Sequence, residues 1–428
     1  KMKKIVFLSL FLSLFSSKIL AQTITSFLPS SGTSSSAIFI KGSGFTNASA
    51  VTIGGTNISV YSVLDDNTIY AVVPATASGS VTVTNAAQTN TATLAGFTYS
   101  AGITPTATAP SVGDGTSGNP YQIANLQNLY WLTTNTSAWS KYFIQTANID
   151  AAESSTWTGG EGLTPIGNTT TYFTGHYDGQ GFSINNLFIN KTSSNTYTAL
   201  FGRINAATIS NVTISNARFV ALTTGYNGGF MGQANSSTIT NCVANDGIIY
   251  NGLGYVGGFI GNISTGATVT NCSANVNTYS LTQYTGGFVG LMDASTSTVT
   301  RSFCSGKVTG TGYQGGFIGF PMAGVITDCY SRSNVVSSGN LNGGFVSFNS
   351  SGTVAMTNCY ATGTVTGTNF LGGFSGYTSG QTYSHCFWNT TTSGKTYGLG
   401  NTGTNANVTG ITSTEMQTTA TFTAAGWD

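Results

Sequence analysis

The chain has 428 residues, of which only 13 are basic and 12 acidic, and its net charge is +1. Charged residues make up 6% against about 25% in typical soluble domains, and there is no basic cluster, so a nucleic-acid-binding protein is not expected. Two histidines, His176 and His385, and a few scattered acids leave little material for metal ligation or acid–base chemistry, so we expect no cofactor, no metal site and no enzymatic activity.

The amino terminus predicts a secretory signal peptide over residues 1–21. Three lysines among the first four residues precede an apolar run over residues 5–15, and the small residue Ala21 closes the segment. This order of basic, apolar and small residues is typical of a cleaved export signal. The apolar run is too short to span a bilayer as a helix. We therefore expect a secreted or bacterial cell-surface protein whose mature chain has no membrane span.

Residues 23–100 predict a small β-sandwich, because short β-compatible runs alternate there with Gly, Pro and Asn turns. These runs lie at residues 37–41, 50–53, 59–64, 68–73 and 80–84. The strings that follow one another in this segment are ITSFLPSSG, IFIKGSGF, VTIGG, VP and GSVTV. Their order resembles the immunoglobulin-like IPT/TIG domain family. The resemblance implies a spacer or interaction module and brings no catalytic residues.

Residues 101–120 predict a linker, because they hold three prolines, four glycines and little apolar content. Residues 121–197 then predict a helical cap and the first coils of a second domain. Within this segment, apolar residues at helical spacing follow the Asn119-Pro120 pair over residues 121–132. We expect this helix to lie over the first coil, since an open end of stacked strands invites aggregation.

Residues 198–400 contain a repeat of about 29 residues. Its most regular mark is a Gly-Gly-Phe motif, with the phenylalanines Phe230, Phe259, Phe288, Phe317, Phe345 and Phe374, and with Phe201 one step further back. A unit of this length cannot bury a core alone, but successive units can pair equivalent strands about 4.8 Å apart. A β-propeller blade needs about 40–45 residues. We therefore predict an all-β chain in which an immunoglobulin-like β-sandwich precedes a right-handed parallel β-helix.

Two further columns of the repeat concern the bend between strands. A column that begins with Asn211, Asn241 and Asn271 predicts side-chain amides that hydrogen-bond along the stack. The next position holds five of the six cysteines, Cys242, Cys272, Cys329, Cys359 and Cys386. An even cysteine count in an exported chain suggests disulfides, whereas an inward column favours buried free thiols. Both interpretations stay open, and free thiols are favoured.

The repeat cores, of the type Gly286-Gly-Phe-Val-Gly290, resemble GLUG-motif repeats. Such repeats occur in bacterial surface and exported proteins, some of them large peptidases that cleave immunoglobulin A. The zinc motif His-Glu-x-x-His does not occur in this sequence, so the peptidase activity is not carried over. Residues 401–428 form a tail without a recognisable cap, and we expect the sequence to be a fragment of a longer protein.

A ladder of aromatic residues is the candidate ligand-binding site. The residue after each cysteine position should point outward, and in the last four coils it is Phe303, Tyr330, Tyr360 and Phe387. Trp388 lies next to the ladder's end. Aromatic rings flanked by hydroxyls and amides suit the stacking of sugar rings or a partner surface. The alternative is that loops or a further domain cover this stripe.

Two other columns receive different interpretations. The tyrosine column has the parity of the core phenylalanines, which predicts stacking in the interior or at a bend rather than a site. Its members are Tyr197, Tyr226, Tyr255, Tyr284 and Tyr313. Pairs of threonine or serine recur on four coils between Thr208 and Thr300 and resemble the surface of β-solenoid ice-binding proteins. Threonine is also generally favoured on exposed β faces.

The predicted function is that of a non-catalytic, adhesin-like scaffold that presents a Thr/Asn/aromatic face to an extracellular glycan or surface protein. A polysaccharide-active enzyme, a lyase or glycosidase, is the alternative, because parallel β-helices also host such enzymes. Their carboxylate sets are hard to assemble here, since the only acids in the repeats, Asp246, Asp293 and Asp328, occupy different columns. An ice-binding surface is a minor alternative.

Overall fold

The structure is a computed structural model that describes residues 22–85, 91–192, 197–281, 284–348 and 353–427. The predicted signal peptide, residues 1–21, lies outside the described residues. A β-sandwich is followed by a β-solenoid of about eight turns whose strands pair in parallel. The predicted fold class is therefore confirmed. No helix in the described ranges has the length and hydropathy that a membrane crossing requires.

The β-sandwich consists of two sheets whose inner faces enclose their own core. Its strands are β1 (Thr23–Leu28), β2 (Ser31–Gly32), β3 (Ala37–Ser43), β4 (Ala48–Ile53), β5 (Thr56–Asn57), β6 (Tyr61–Asp65), β7 (Thr68–Val72), β8 (Gly79–Asn85) and β9 (Thr91–Tyr99). In this part of the described chain, one sheet has the order β1-β3-β7-β6 and the other β2-β9-β8-β4-β5. Ile38, Ile40, Val51 and Val81 are buried between them, because alternate residues of each strand point inward.

Two long parallel sheets run along the solenoid. The threonine sheet comprises Tyr121–Ile123, Tyr142–Gln145, His176–Asp178, Thr208–Ser210, Thr238–Thr240, Thr268–Thr270, Thr298–Thr300, Ala323–Thr327, Thr353–Thr357 and Thr382–Ser384. The aromatic sheet comprises Ile149–Asp150, Ser183–Asn185, Phe188–Lys191, Thr213–Ser215, Arg218–Ala221, Val243–Asn251, Ser273–Ser280, Phe303–Ser305, Lys307–Gly310, Tyr330–Ser331, Asn334–Ser337, Tyr360–Ala361, Cys386–Asn389 and Val408–Ile411. Each coil passes from the first sheet to the second at the asparagine bend.

Two shorter parallel sheets complete each coil. The tyrosine sheet comprises Tyr226–Gly228, Tyr255–Gly257, Tyr284–Gly286 and Tyr313–Gly315. The fourth sheet comprises Phe201–Asn205, Met231–Asn235, Ile260–Ser264, Val289–Met292, Ile318–Pro321, Val346–Phe348 and Ser375–Tyr377. The Gly-Gly-Phe motif connects these two sheets. In the copy at residues 228–230, the first glycine ends a strand of the tyrosine sheet, and the phenylalanine directly precedes a strand of the fourth sheet.

The predicted cap helix is present but begins later than expected. Tyr121–Ile123 forms a strand, and helix α1 spans Leu126–Thr134, with the Asn125 side chain accepting a hydrogen bond from the backbone N–H of Asn128. This side-chain cap sets the helix start, rather than the Asn119-Pro120 pair. In the described ranges, the other helices are α2 (Thr390–Ser393), α3 (Thr419–Thr423) and the 3-10 turns Thr136–Ala138, Ala152–Thr156 and Glu415–Gln417.

The Gly-Gly-Phe phenylalanines form a stack through the centre of the solenoid. From Phe230 to Phe374, neighbouring ring centroids lie 4.6–5.0 Å apart and ring planes differ by no more than 14°. All of these side chains are fully buried. The predicted superposition of coils is therefore confirmed, and equivalent residues of successive repeats lie above one another.

The asparagine column forms the predicted ladder. Asn211, Asn241 and Asn271 have φ values of 56°, 56° and 54°, a left-handed conformation that asparagine tolerates well. The Asn241 amide donates to the Asn211 side-chain oxygen at 3.1 Å, and the Asn271 amide donates to that of Asn241 at 3.3 Å. Arg301 continues the chain by donating its Nε to the Asn271 oxygen at 2.9 Å. The bend is thus stabilised by bonds along the stack.

All six cysteines lie in the described ranges, and all are buried and free. All five thiols of the column donate to the carbonyl oxygen two residues earlier; Cys242, for example, donates to the Thr240 oxygen at 3.2 Å. Burial raises the pKa of Cys304, the cysteine outside the column, to about 12. Each column thiol therefore fills the bend as a small apolar group that also satisfies a backbone carbonyl.

The sandwich is docked against the solenoid. Phe39 and Tyr70 of the sandwich share a buried cluster with Val220, Ile248 and Tyr250 of the aromatic sheet. The rings of Tyr70 and Tyr250 lie 4.6 Å apart. The segment 101–120 between the two units also contacts the second unit, since the Ile103 N–H donates to the Thr156 carbonyl and the Thr108 N–H to the Gln127 carbonyl of α1. The two units therefore share one interface.

A polar cluster flanks this interface. Lys307 Nζ lies 2.7 Å from Asp65 Oδ2, and the Tyr279 hydroxyl donates to the same carboxylate at 3.0 Å. The Thr68 and Tyr279 hydroxyls lie 2.9 Å apart. Burial on its own would raise the pKa of Asp65, but the hydrogen bond and charge of Lys307 outweigh it, so this pKa lies below its ordinary value. The charged form of Asp65 is thus the one that holds the two units together.

We expect the docking to weaken in acid. A lowered folded-state pKa contributes stability that is present above the ordinary aspartate value and is lost as the pH falls through the folded value. Asp65→Asn should lower the free energy of unfolding at neutral pH by about 1–3 kcal/mol and flatten its pH dependence below about pH 4. Urea denaturation across this pH range measures both effects. Lys307→Met is the matched partner variant, and additive losses in the double variant would contradict a direct pair.

Candidate functional site

Phe303, Tyr330 and Tyr360 form a stacked column on the aromatic sheet. Each begins a strand, and the three residues pair in register on successive coils. Neighbouring ring centroids lie 4.8 Å apart, and the ring planes differ by 4° and 5°. Phe303 is 38% exposed, and the two tyrosines are half-buried. The structure thus brings together the first three residues of the predicted ladder on an outward surface.

Within the described part of this column, the Phe303 ring is stacked on another ring, that of Tyr330, on one face only. Parallel rings at this separation cover each other's faces, so Tyr330 offers only its edge to a ligand. The residue paired with Phe303 on the preceding coil is Ser273, whose side chain is too small to cover a phenyl ring. A flat or ring-shaped part of a ligand can therefore stack on the face of the Phe303 ring that points towards Ser273.

The lower half of the ladder is covered by the carboxy-terminal segment. The Phe422 ring of α3 lies 6.1 Å from that of Tyr360 and 5.4 Å from that of Phe387. Trp427 contacts the same two rings, and its indole N–H donates to the His385 carbonyl at 3.2 Å. Phe387 is consequently only 6% exposed. For this half of the aromatic ladder, the alternative interpretation that another segment covers the aromatic residues therefore applies.

Trp388 is not part of the outward ladder. Its side chain is 4% exposed and belongs to the solenoid core, against Gly373 and near Val408. The next residue after an outward Phe387 points to the opposite face of the strand, so Trp388 points inward. The expectation that Trp388 extends the exposed surface is therefore corrected.

Arg332 flanks the column and affects its two tyrosines. Its guanidinium carbon lies 5.2 Å from the centre of the Tyr330 ring, within cation–π range. Burial raises the pKa of Tyr330, and the positive charge of Arg332 opposes it only in part. Burial also raises the pKa of Tyr360 against a hydrogen bond with Arg332. Both phenols therefore keep their protons at neutral pH and can donate hydrogen bonds to a ligand.

A second aromatic column, the tyrosine ladder, lies on the tyrosine sheet. Tyr226, Tyr255, Tyr284 and Tyr313 are half-buried, with ring centroids 5.2–5.5 Å apart. Three of these rings, Tyr255, Tyr284 and Tyr313, line a surface groove of about 590 Å³, together with Leu253, Leu281, Thr311 and Asn340. The predicted stacking is present, but these four rings are half-buried at the surface rather than in the interior.

One signal in the sequence distinguishes the tyrosine ladder from the buried stack of Gly-Gly-Phe phenylalanines. The fully buried stack consists of phenylalanines, whereas the tyrosine ladder carries a hydroxyl on every ring. A phenol needs a hydrogen-bond partner when it is buried, so a repeated tyrosine indicates a position that reaches water. Residue type, rather than parity, identifies the exposed column.

The threonine sheet carries the expected hydroxyl array. Thr208, Thr238, Thr268 and Thr298 pair in register as one rank. The second rank runs from Ser210 through Thr300 and continues on three more coils. It comprises Ser210, Thr240, Thr270, Thr300, Thr327, Thr357 and Ser384. In this rank the array is longer than the four coils predicted, and its ice-binding role stays a prediction.

Comparison with known proteins assigns the sandwich. Residues 23–101 match the family described as IPT/TIG domain, so the sandwich is an IPT/TIG domain, as its motifs predicted. A curated protein named halomucin, from Haloquadratum walsbyi, is 38% identical over 114 residues. That match covers 26% of this chain and 1% of halomucin, so the chain spans a very small part of that relative. The GLUG resemblance of the repeats stays a prediction.

One solved structure shares the overall fold, and a second is more distantly similar. One from Bacteroides ovatus, provisionally named an immunoglobulin A1 protease, is 18% identical with a TM-score of 0.50. The match covers 74% of this chain and 90% of that one. Another, named IgA1 protease, is 15% identical with a TM-score of 0.40 and covers 82% of this chain and 26% of its own.

The prediction that the chain is not an enzyme is corrected by this comparison. A protein with the same overall fold carries the provisional name of a protease. At 18% identity the likeness shows the fold alone, so it transfers no activity and no catalytic residue. A low count of histidines and acids was the basis of the prediction, and such a count does not exclude catalysis, because an active site needs only a few residues.

Proposed function

We propose that the chain is the ligand-binding part of an exported bacterial protein and that the upper part of the aromatic ladder holds an extracellular glycan. The observation that carries this proposal is the position of Phe303 at the end of the aromatic stack. One face of its ring packs on Tyr330, and the other face points towards the small side chain of Ser273 on the preceding coil. Export is supported by the basic and apolar pattern of residues 1–21.

The surroundings of Phe303 favour a neutral glycan over a charged ligand. Charged residues make up 6% of the chain, and the strands beside the ladder expose mainly Ser, Thr and Asn. Hydroxyls and amides can both donate to and accept from sugar hydroxyls, while the phenyl face packs against the apolar face of a sugar ring. Arg332 and the Tyr330 phenol add donors at the edge of the same site.

We expect Phe303→Ala to lower the affinity for a bound glycan about tenfold, because the stacking surface is lost. A glycan array followed by titration calorimetry on the best ligand measures this effect. Phe303→Tyr should bind like the unchanged chain, since it keeps the ring face. The matched control is Phe320→Ala on the fourth sheet, where a half-buried ring stacks on Tyr284 at 4.5 Å.

Two results would overturn the proposal. If Phe303→Ala and Phe320→Ala bind the glycan equally well, the ladder is not the binding surface. If the chain binds no glycan on the array but binds a purified surface protein, and Phe303→Ala abolishes that binding, the ladder serves a protein partner instead.

A further inference from the structure

A small pocket lies between the sandwich and the first coils of the solenoid. It has a volume of about 130 Å³, and residues of both units line it. The sandwich contributes residues 28–31, at the turn between β1 and β2, and the solenoid contributes residues from three successive coils. A pocket of this size can hold a small polyatomic ion with a few waters, since one water needs about 10–15 Å³ of such volume.

Arg218 brings an unpaired positive charge to this pocket. Among the described residues of the lining it is the only charged one. It is 7% exposed, and no acidic side chain in the described ranges forms an ion pair with it. Arginine is rarely buried to this degree without an anionic partner, because an uncompensated charge is costly to remove from water. Burial lowers the pKa of Arg218 to about 10, so the guanidinium remains charged at neutral pH.

The hydrogen bonds of Arg218 leave one edge of its guanidinium without a protein partner. Nη1 donates to the carbonyl oxygens of Ala217 and Asp246 at 2.9 and 3.0 Å. Nε and Nη2 have no acceptor among the described residues, and of these two atoms only Nε is enclosed. Nη2 therefore keeps contact with solvent, where a ligand oxygen can reach it. An oxygen bound to Nη2 also lies beside Nε–H, because these two N–H groups point in the same direction.

The neighbouring charges do not neutralise Arg218. Asp246, on the next coil, accepts hydrogen bonds at its carboxylate from the amides of Asn245 and Asn275, at 2.8 and 3.1 Å. Lys41 of β3 is close enough that, after burial, the positive charge of Arg218 contributes to lowering the pKa of the lysine. No described residue of the lining is acidic. The pocket therefore attracts anions.

Neutral donors complete the lining. The side chains of Ser30, Ser31 and Asn216 form no hydrogen bond within the described part of the chain. Ser30 and Asn216 are exposed, so both can turn towards a ligand. Hydroxyl and amide groups donate to oxyanions, and an arginine adds a charge-assisted bond of about twice the strength of a neutral one. This donor set suits a small oxyanion rather than a cation.

From these observations we infer that the pocket is a binding site for a small oxyanion group, held by Arg218 Nη2 and the neutral donors. Sulfate, phosphate and carboxylate share this chemistry, and the group is either a free ion or a part of a larger ligand. Because both units line the pocket, a bound anion stabilises their docking. The site is separate from the Phe303 ladder, and the inference does not rest on the proposed function.

Thermal unfolding and titration calorimetry with sodium sulfate, phosphate and acetate test the inference, with chloride at the same ionic strength as the reference. At least one oxyanion should raise the melting temperature in a saturable way, as a ligand of the folded state does. Arg218→Met should weaken binding of that ion about tenfold or more, because the charged donor is lost and the length of the side chain is kept.

Two comparisons separate a site from a general salt effect. Sulfate and phosphate also stabilise proteins by exclusion from their surface, so Arg218→Met in the same salt gives the baseline. Arg301→Met is the matched control, since it removes an exposed arginine at the asparagine bend, outside the pocket. The control should bind the ion as the unchanged chain does.

Asn216→Asp is an independent variant of the same pocket. The equivalent bend position on the next coil is Asp246, and both residues have a left-handed φ, 56° and 51°, so the backbone accepts aspartate. The new carboxylate would lie in the lining and repel an added oxyanion. Binding should therefore weaken about tenfold while the chain stays folded.

Weaker binding in both pocket variants, with unchanged binding in Arg301→Met, supports the inference. Glucose 6-sulfate, with glucose as its control, identifies the source of the group. Tighter binding than that of sulfate indicates a group carried by a larger ligand, and weaker binding indicates a free ion. The inference is wrong if none of these oxyanions acts beyond chloride, or if both pocket variants bind like the unchanged chain. It is also wrong if Arg218→Met destabilises the chain equally with and without the ion, as loss of a purely structural arginine would.

Discussion

Replacing Phe288 with alanine should lower the free energy of unfolding by about 3–5 kcal/mol. Phe288 lies in the middle of the buried stack, with the rings of Phe259 and Phe317 each 4.9 Å from its own. Because both neighbours are held by their own coils, the surrounding side chains cannot collapse into the vacated space, and a cavity remains. Urea denaturation followed by circular dichroism measures the loss.

The same substitution at Phe370 is the control for this experiment. Phe370 is 46% exposed and has one aromatic neighbour, Tyr377, so its removal should cost no more than about 1 kcal/mol. Equal losses at the two positions would contradict the expectation that a cavity remains when a ring is removed from the buried stack.

Gly258→Ala should destabilise the chain by about 3 kcal/mol or more, and the variant should accumulate as insoluble protein at elevated temperature. A Cβ at this position would collide with the carbonyl oxygen of Gly287 on the next coil. Backbone atoms form that contact, so no side-chain rotation can relieve it. Yield of soluble protein and thermal unfolding of the soluble fraction measure the effect.

Gly118→Ala is the matched control for the glycine variant. A Cβ added to Gly118 meets nothing within 4 Å, and this glycine has no left-handed φ. We expect its stability to change by less than about 1 kcal/mol. If Gly258→Ala were as stable as Gly118→Ala, the Gly-Gly-Phe glycines would not be explained by close approach of the coils.

The solenoid could be predicted from the sequence because stacking repeats the same environment at every coil. The Gly-Gly-Phe column became a line of buried rings, and the asparagine column became a hydrogen-bonded ladder. In a stack, one correct assignment of a position extends to all of its equivalents. This is why Phe303, Tyr330 and Tyr360 were found on one surface from the alternation of strand residues alone.

Features that depend on one-off contacts could not be predicted in this way. The cover over Phe387 comes from Phe422 and Trp427, which lie in a segment without the repeat. Docking of the sandwich likewise depends on a single surface. The docking is nevertheless indicated by the sequence of β3, where Ala37, Ile38, Phe39 and Ile40 are all apolar and all buried. A strand that is apolar on both faces indicates a covering partner on each side.

The fixed sandwich has a mechanical consequence when the chain is under tension. A force applied at β1 is transmitted to the solenoid through the Asp65–Lys307 contact and the Tyr70–Tyr250 packing, because both join the two units directly. Force therefore does not travel solely along the peptide backbone of residues 101–120. The interface is therefore loaded in shear.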